Sequence, residues 1–302
     1  MARPFVDALK RHSREVAQLE GGQAEEFGRL LRGLQDELRG RLLGEHVGDD
    51  PLDAFRMRRI LAETQAGLRV LDAKAAGFWD AAQRDALDLA LEHVADEVRL
   101  LSGGLDATPF RVTLEAAKVW ADPAHQLLAN HFETSVQRYG ADLLNDIRRR
   151  LFNGLRTGDP TRDIVADIAG KQGPLGPVGL KKAETLVRTE VSQAYGVAQH
   201  DGIAQADKKI PGGLQKMWLH IGSYQCPTCG PLHGTTRPLD GTWTIVVAKG
   251  PPRRVKRIAH APAHPRCTCR VVASKPSWTK AFEKLGYLKP QKTDAEHGAA
   301  KL

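Results

Sequence analysis

Apolar residues in the first two thirds of the chain recur at intervals of three and four, the pattern of amphipathic helices. Phe27, Leu31, Leu34, Leu38 and Leu42 form one such stripe, with Arg, Asp and Glu between them. Asp50-Pro51 breaks that run. A second helix is predicted from about Leu52 to Leu71 and a third from about Ala75 to Leu101, the latter with Leu87, Leu91, Val94, Val98 and Leu101 on its apolar side. Residues 105–121 read both ways, since Phe110 to Leu114 alternates like a strand while Glu115 to Trp120 has helical spacing. Asp122-Pro123 is a helix start, with aspartate as cap and proline at the first helical position. Leu128, Phe132, Val136, Tyr139, Leu143, Ile147 and Leu151 then mark one face. Gly158-Asp159-Pro160 repeats the start signal for a short helix ending near Gly170. Gly170 to Gly179 has the composition of a mobile crossing loop, and a last helix runs from Leu180 to about Ala206.

After Pro211-Gly212-Gly213 the period shortens. Met217 to Ile221, Trp243 to Val247 and Arg270 to Ala273 are short apolar runs between Gly, Pro and Asp-Gly turns, and they predict strands. The expected fold class is therefore α+β and mostly α-helical, with long amphipathic helices followed by a small β-containing carboxy-terminal module. The expected divisions are a helical region over 1–121, a second helical region over 122–210, the β-containing module over 211–288, and a loose polar tail over 289–302.

Composition narrows the picture. In 302 residues, 41% hydrophobic and 26% charged content is that of a folded chain, and 6% aromatic content points to aliphatic helix packing. Charge interrupts every apolar stretch before it reaches bilayer length, so no membrane is expected as a partner. Met-Ala-Arg-Pro-Phe leads into charge without an apolar signal core, which predicts a protein kept in a reducing compartment. The net charge of +8 is unevenly spread. No acidic residue lies between Asp240 and Glu283, where Lys249, Arg253, Arg254, Lys256, Arg257, Arg266, Arg270, Lys275 and Lys280 all fall. Lys249, Arg253, Arg254, Lys256 and Arg257 are the candidate contacts to nucleic acid, as a loop held partly extended by Pro251-Pro252. The alternative for this loop is a solvated stretch whose charge aids solubility.

All four cysteines fall in the same region. Cys226-Pro-Thr-Cys229 has the spacing of a zinc knuckle, and Gly230 suits its turn. In Cys267-Thr-Cys269 an extended strand turns both side chains to one face. Cys226, Cys229, Cys267 and Cys269 thus make a candidate structural zinc site. His264, three residues before Cys267, is an alternative ligand, and His233, four after Cys229, is another. Reduced structural thiols or a disulfide are the remaining readings of the same spacing.

Catalytic constellations are weaker. His220, His260 and His264 lie near the cysteines, as a metal-dependent nuclease would need, but Asp240 is the one carboxylate close in sequence. The chain has no Gly-rich phosphate loop, Gly-x-Ser-x-Gly or His-Glu-x-x-His. Arg188-Thr189-Glu190 lies in a predicted helix, where positions 188 and 190 diverge and Glu184 to Arg188 has pairing distance. No catalytic residue is assigned.

Three elements in order carry a resemblance: Leu151-Phe-Asn-Gly-Leu-Arg-Thr-Gly-Asp159, then Arg188-Thr-Glu-Val-Ser-Gln-Ala-Tyr-Gly-Val-Ala198, then Cys226-Pro-Thr-Cys229 with Pro231-Leu232-His233-Gly234 and His264-Pro-Arg-Cys267-Thr-Cys269. Over roughly residues 140–275 the chain resembles the phage Mu protein F-like minor head proteins, the phage head morphogenesis family. His-Pro-x-Cys-x-Cys is the most specific element. Where the family commonly has Leu-Asp-Gly, this chain has Leu232-His233-Gly234. The resemblance implies a non-enzymatic minor capsid protein of a tailed phage or prophage-like particle, inside the head, assembled in the host cytoplasm. Its implied partners are the portal, other head or scaffold proteins and packaged DNA. A zinc-containing nuclease or a DNA-binding adaptor are the alternative functions.

Overall fold

A computed structural model describes residues 2–45, 50–101, 122–210, 212–220, 227–248, 254–265 and 267–275. The expected tail, the ambiguous stretch 105–121, Cys226, Lys249 and Arg253 all lie outside the described residues. Among the described residues, five helices precede the strands: α1 (Ala2–Glu45), α2 (Ala54–Leu101), α3 (Asp122–Thr157), α4 (Thr161–Ala169) and α5 (Pro177–Asp207). The strands are β1 (Gln215–His220), β2 (Thr236–Arg237), β3 (Trp243–Ala248), β4 (Arg254–Ile258) and β5 (Cys269–Ser274), with a 3-10 turn at Gly230–Leu232. The fold is α+β and mostly helical, as the patterning predicts.

Two helices predicted over 52–71 and 75–101 are one, α2. The joining residues, Asp72-Ala-Lys-Ala75, contain no breaker, and alanine is the best helix former. Its start is capped by Asp53, whose Oδ1 accepts the backbone N–H groups of Phe55 at 2.8 Å and Arg56 at 2.7 Å. That hydrogen bonding, led by Arg56, holds the Asp53 carboxyl below its ordinary range. Helix α5 starts at Pro177, earlier than Leu180, with proline in the first turn. The Gly/Pro segment before it is a packed turn: Gly173 to Gly176 are buried, and the Leu175 N–H donates to the Ile168 carbonyl.

The chain forms two compact units, each assembled from separated stretches. One unit comprises Glu20–Gln83 and His125–Glu190. Its core is the predicted stripe of α1, with Phe27, Leu31, Leu34, Leu38 and Leu42 buried, set against Phe132, Val136, Leu143 and Ile147 of α3. Trp79 stacks on Phe132 with centroids 4.2 Å apart, Phe78 tilts against Phe132, and Phe27 meets Phe132 edge-on. Gly67 allows α2 to approach Leu34 and Leu38, whose methyl carbons lie 3.0 Å from where a Cβ would stand. Thr161 ties α4 back through its N–H and hydroxyl, both donating to the Asp50 carbonyl.

The other unit comprises Met1–Leu19, Arg84–Ala124 and Val191–Leu302. Its centre is the antiparallel pair β1–β5, in register from Gln215 opposite Ser274 to His220 opposite Cys269, with β2 on the far edge of β1. Every residue of β5 is buried. On one face Trp218, Val271 and Ala273 pack with Val94, Val98, Ile203 and Ala206 of α2 and α5. On the other, Met217, Leu219 and Val272 pack with Phe5, Val6 and Leu9 of α1. The strands and the helices therefore share one core. β3 and β4 form a separate antiparallel ribbon, Trp243 opposite Ile258. Sequence reading placed Arg254 to Arg257 in a loop. They are strand β4, whose Val255, Lys256 and Arg257 are exposed, so it lacks the alternation that marks a half-buried strand.

Phe132→Ala removes the partner of the Trp79 stack from a fully enclosed site. A loss of about 3–5 kcal/mol is expected, read as a lowered midpoint in urea unfolding followed by tryptophan fluorescence.

Candidate metal centre

The Pro227-Thr-Cys229 turn, the 264–267 loop and the first residue of β5 bring three buried sulfurs together. Cys229, Cys267 and Cys269 are 1%, 5% and 0% exposed, and none is in a disulfide. Cys229 Sγ lies 3.8 Å from Cys267 Sγ and 3.3 Å from Cys269 Sγ. The His264 Nε2 lies 3.3 Å from Cys229 Sγ. One ligand atom each from Cys229, His264 and Cys267 falls within a sphere that one metal ion could fill, the three lying within 4.8 Å of one another.

The Cys229–Cys267 separation fits a tetrahedral ion, while the 3.3 Å between Cys229 and Cys269 is shorter than such an ion requires. Metal–sulfur bonds of about 2.3 Å place two tetrahedral sulfurs about 3.8 Å apart, the separation of Cys229 and Cys267. The imidazole is also prepared. His264 Nδ1 donates to the Pro265 carbonyl at 2.9 Å, so in the neutral ring the proton is on Nδ1 and the Nε2 lone pair faces Cys229. The Cys267 N–H donates to the His264 carbonyl at 3.2 Å and closes the loop.

Charge reinforces this. The three adjacent thiols shift one another's acidity in opposite directions. Hydrogen bonds from Cys229, and then Cys269, hold the Cys267 thiol far below its ordinary range. The Cys267 contact, with Cys269 and burial, drives the Cys229 thiol far up. For Cys269 the bond with Cys229 pulls down, yet the Cys267 contact and burial prevail and push it up to about 12. A divalent cation would let all of them ionise.

The other expected residues are placed as follows. Cys269 sits against Cys229 and 3.4 Å from His220 Nδ1. His233 lies outside the three-ligand group, and its Nδ1 accepts the His220 backbone N–H at 3.0 Å. His260 Nδ1 donates to the Ala261 carbonyl, and burial lowers the pKa of its ring. His220, His260 and His264 thus serve three different partners. Lys256 and Arg257 are exposed on β4, where Arg254 also lies. Arg188 pairs with Glu184 at 3.0 Å, as i,i+4 spacing predicts, and Thr189 donates to the Thr185 carbonyl. Glu190 turns inward and is 5% exposed, accepting from Ser135 at 2.9 Å and lying 2.8 Å from His131 Nδ1.

Two contributors escaped sequence reading. Arg270, one of the cations of the acid-free stretch, is buried, with Nη1 donating to the Cys269 carbonyl at 2.8 Å and to the Ser192 hydroxyl at 3.4 Å, and its guanidinium 5.5 Å from the Tyr195 ring. Glu97 is fully buried and accepts from the Ala273 N–H and from Gln199, fastening β5 to α2 and α5. Burial raises its pKa. Its position three after Val94 and four before Leu101, on the apolar side of the helix, was the available signal. Gly196 makes the closest approach: a Cβ there would overlap the Ala261 carbonyl oxygen, in the loop that leads to His264.

No protein-family model matches the chain, and no characterised protein or solved structure shows significant similarity to it.

Gly196→Ala should push the 260–264 loop away from α5 and weaken metal retention at least about tenfold in a chelator competition, since backbone cannot yield as a side-chain tip can. Gly40→Ala has open space around its Cβ and should be neutral or stabilising by up to about 1 kcal/mol.

Proposed function

We propose that this chain is a minor head protein of a tailed phage or prophage-like particle, with one zinc ion stapling the strand-bearing unit. The observation that carries the reading is the Cys229, His264 and Cys267 group, built from the two cysteine-bearing stretches of the family resemblance. The packing of Gly196 against Ala261 supports it, because the Arg-Thr-Glu helix and the His-Pro-x-Cys-x-Cys loop then act as one assembly. Zinc is preferred for a donor set of thiolates and imidazole at tetrahedral spacing. Cys229, Cys267, Cys269 and His264 are the proposed ligands, and an enclosed set of four protein ligands is the arrangement of a structural site. The function needs no catalysis at this ion. The exposed Lys256 and Arg257 of β4 are proposed to lie against packaged DNA, and the helical faces against portal and other head proteins.

Elemental analysis of protein purified without added metal should give about one zinc per chain, released by a thiol reagent with a fall in melting temperature. His264→Ala should lose the ion. Retention in His264→Ala with loss in Cys226→Ser would assign the fourth position to cysteine instead. Metal-free protein of unchanged stability would end the zinc reading.

The assembly role predicts co-purification with portal protein when both are produced together. Mg- or Mn-dependent nicking of plasmid by the wild type, lost in His260→Ala or His264→Ala, would replace this reading with a nuclease.

A further inference from the structure

The opening stretch of α1 up to Leu19 belongs to the strand-bearing unit, and its Phe5, Val6 and Leu9 cover Met217, Leu219 and Val272. One turn beyond Leu9 lies the polar anchor of this arm. His12 stacks on His93 of α2, with centroids 3.8 Å apart and planes inclined by 8°, and both rings are buried. Every element packed there adds a charged or titratable group. α1 supplies Arg11 and Glu15, and α2 supplies Asp96, Glu97 and Arg99. α5 supplies Tyr195, and Arg270 of β5 lies over the Tyr195 ring.

A neutral His93 satisfies these surroundings. Its Nε2–H donates to Glu15 at 2.8 Å, and its Nδ1 accepts the Tyr195 hydroxyl at 2.7 Å. Burial keeps the proton on that hydroxyl. A second proton on His93 would break the Tyr195 bond and set an imidazolium face to face with His12, whose Nε2 already has the Arg11 guanidinium at 3.4 Å. Burial, then the His12 ring, lower the His93 pKa to about 4 against the pull of Glu15. The arm also ends at a weak point. Gly21 and Gly22 follow Leu19-Glu20, and glycine is the poorest helix former after proline.

We propose that the His12–His93 stack is an acid-operated latch, which keeps residues 2–19 on the β1–β5 pair near neutral pH and releases them on acidification, with Gly21-Gly22 as the hinge. The folded chain holds His93 neutral down to about 4, whereas an unfolded histidine takes its proton near 6.5. This contribution to stability is therefore complete above 6.5 and is lost as the pH falls from there towards 4. Asp96 acts below that window: burial raises its pKa, but hydrogen bonds from Arg99 and His12 hold it under its ordinary range. Glu97 works in the opposite sense, since burial raises its pKa and its protonation eases the fold. It still accepts the Ala273 N–H, so β5 stays fastened while the arm leaves.

The test is hydrogen exchange followed by mass spectrometry on the full-length chain at pH 7.5 and 5, corrected for the intrinsic pH dependence, with zinc release read in parallel by a chelating dye. Protection of residues 2–19 should fall at least about tenfold at pH 5, while residues 27–42 keep theirs. His93→Phe keeps an aromatic ring on His12 without a titrating nitrogen, and it should hold the arm closed at pH 5 even where zinc is released. Glu15→Gln changes a half-exposed, near-isosteric group. It retains an acceptor for His93 but removes the charge that favours its protonation, so release should move to higher pH. Equal corrected protection of the arm at both pH values overturns the proposal. Release that follows zinc loss and is unchanged in both variants overturns it too, as does loss of protection in both units together. If His93→Phe does not fold, Glu15→Gln decides: a release pH that stays the same or falls overturns the latch.

Discussion

A strand pair buried on both faces must draw its cover from elsewhere in the chain, and β1–β5 is such a pair. Two strands and a two-residue edge cannot enclose themselves. Phe5, Val6 and Leu9 close one side, while Val94, Val98, Ile203 and Ala206 close the other. The rest follows from that enclosure. Charged groups caught inside need partners, so Arg270 reaches Ser192, the Cys269 carbonyl and the Tyr195 ring, and Glu97 takes the Ala273 and Gln199 donors. The cysteines at the end of β5 are sealed away from water by the same layers.

Crowded thiols are the local expression of that constraint. Burial would normally keep cysteine neutral, yet sulfurs at 3.3 and 3.8 Å compete for protons. A bound cation removes the competition, and its binding energy then counts toward folding. The nearby His264, held by its own backbone carbonyl contact, supplies a ligand that is not itself negative.

Helices were legible because their signals are local. The stripe Phe27 to Leu42 and the α3 face Phe132 to Leu151 read directly as buried positions. The continuity of α2 was missed because a pause in apolar spacing resembles a boundary, although Ala73, Lys74 and Ala75 within it favour helix. β4 was missed because a ribbon exposed on Val255, Lys256 and Arg257 leaves no period to detect. At the site, paired cysteine spacing pointed to Cys226, Cys229, Cys267 and Cys269, with His264 and His233 as alternatives, and the structure groups Cys229, His264 and Cys267. Spacing could not reveal which charges turn inward. Arg257 and Arg270 are the same residue type within one acid-free stretch, and β5, which carries Arg270, is the strand that pairs with β1. His12 and His93 lie far apart in sequence, so their stacking is visible only once α1 and α2 are folded together.

The cluster that joins Phe5 to Val272 sets a timetable for synthesis. A ribosome adding about 5–20 residues per second needs roughly ten seconds to a minute to travel between those two residues. Throughout that interval the apolar start of α1 has no strand to cover. Its neighbours in the other unit, Phe27 to Leu42, can already find Phe78 and Trp79. The nascent chain therefore carries the apolar face of Phe5, Val6 and Leu9 uncovered until β5 emerges.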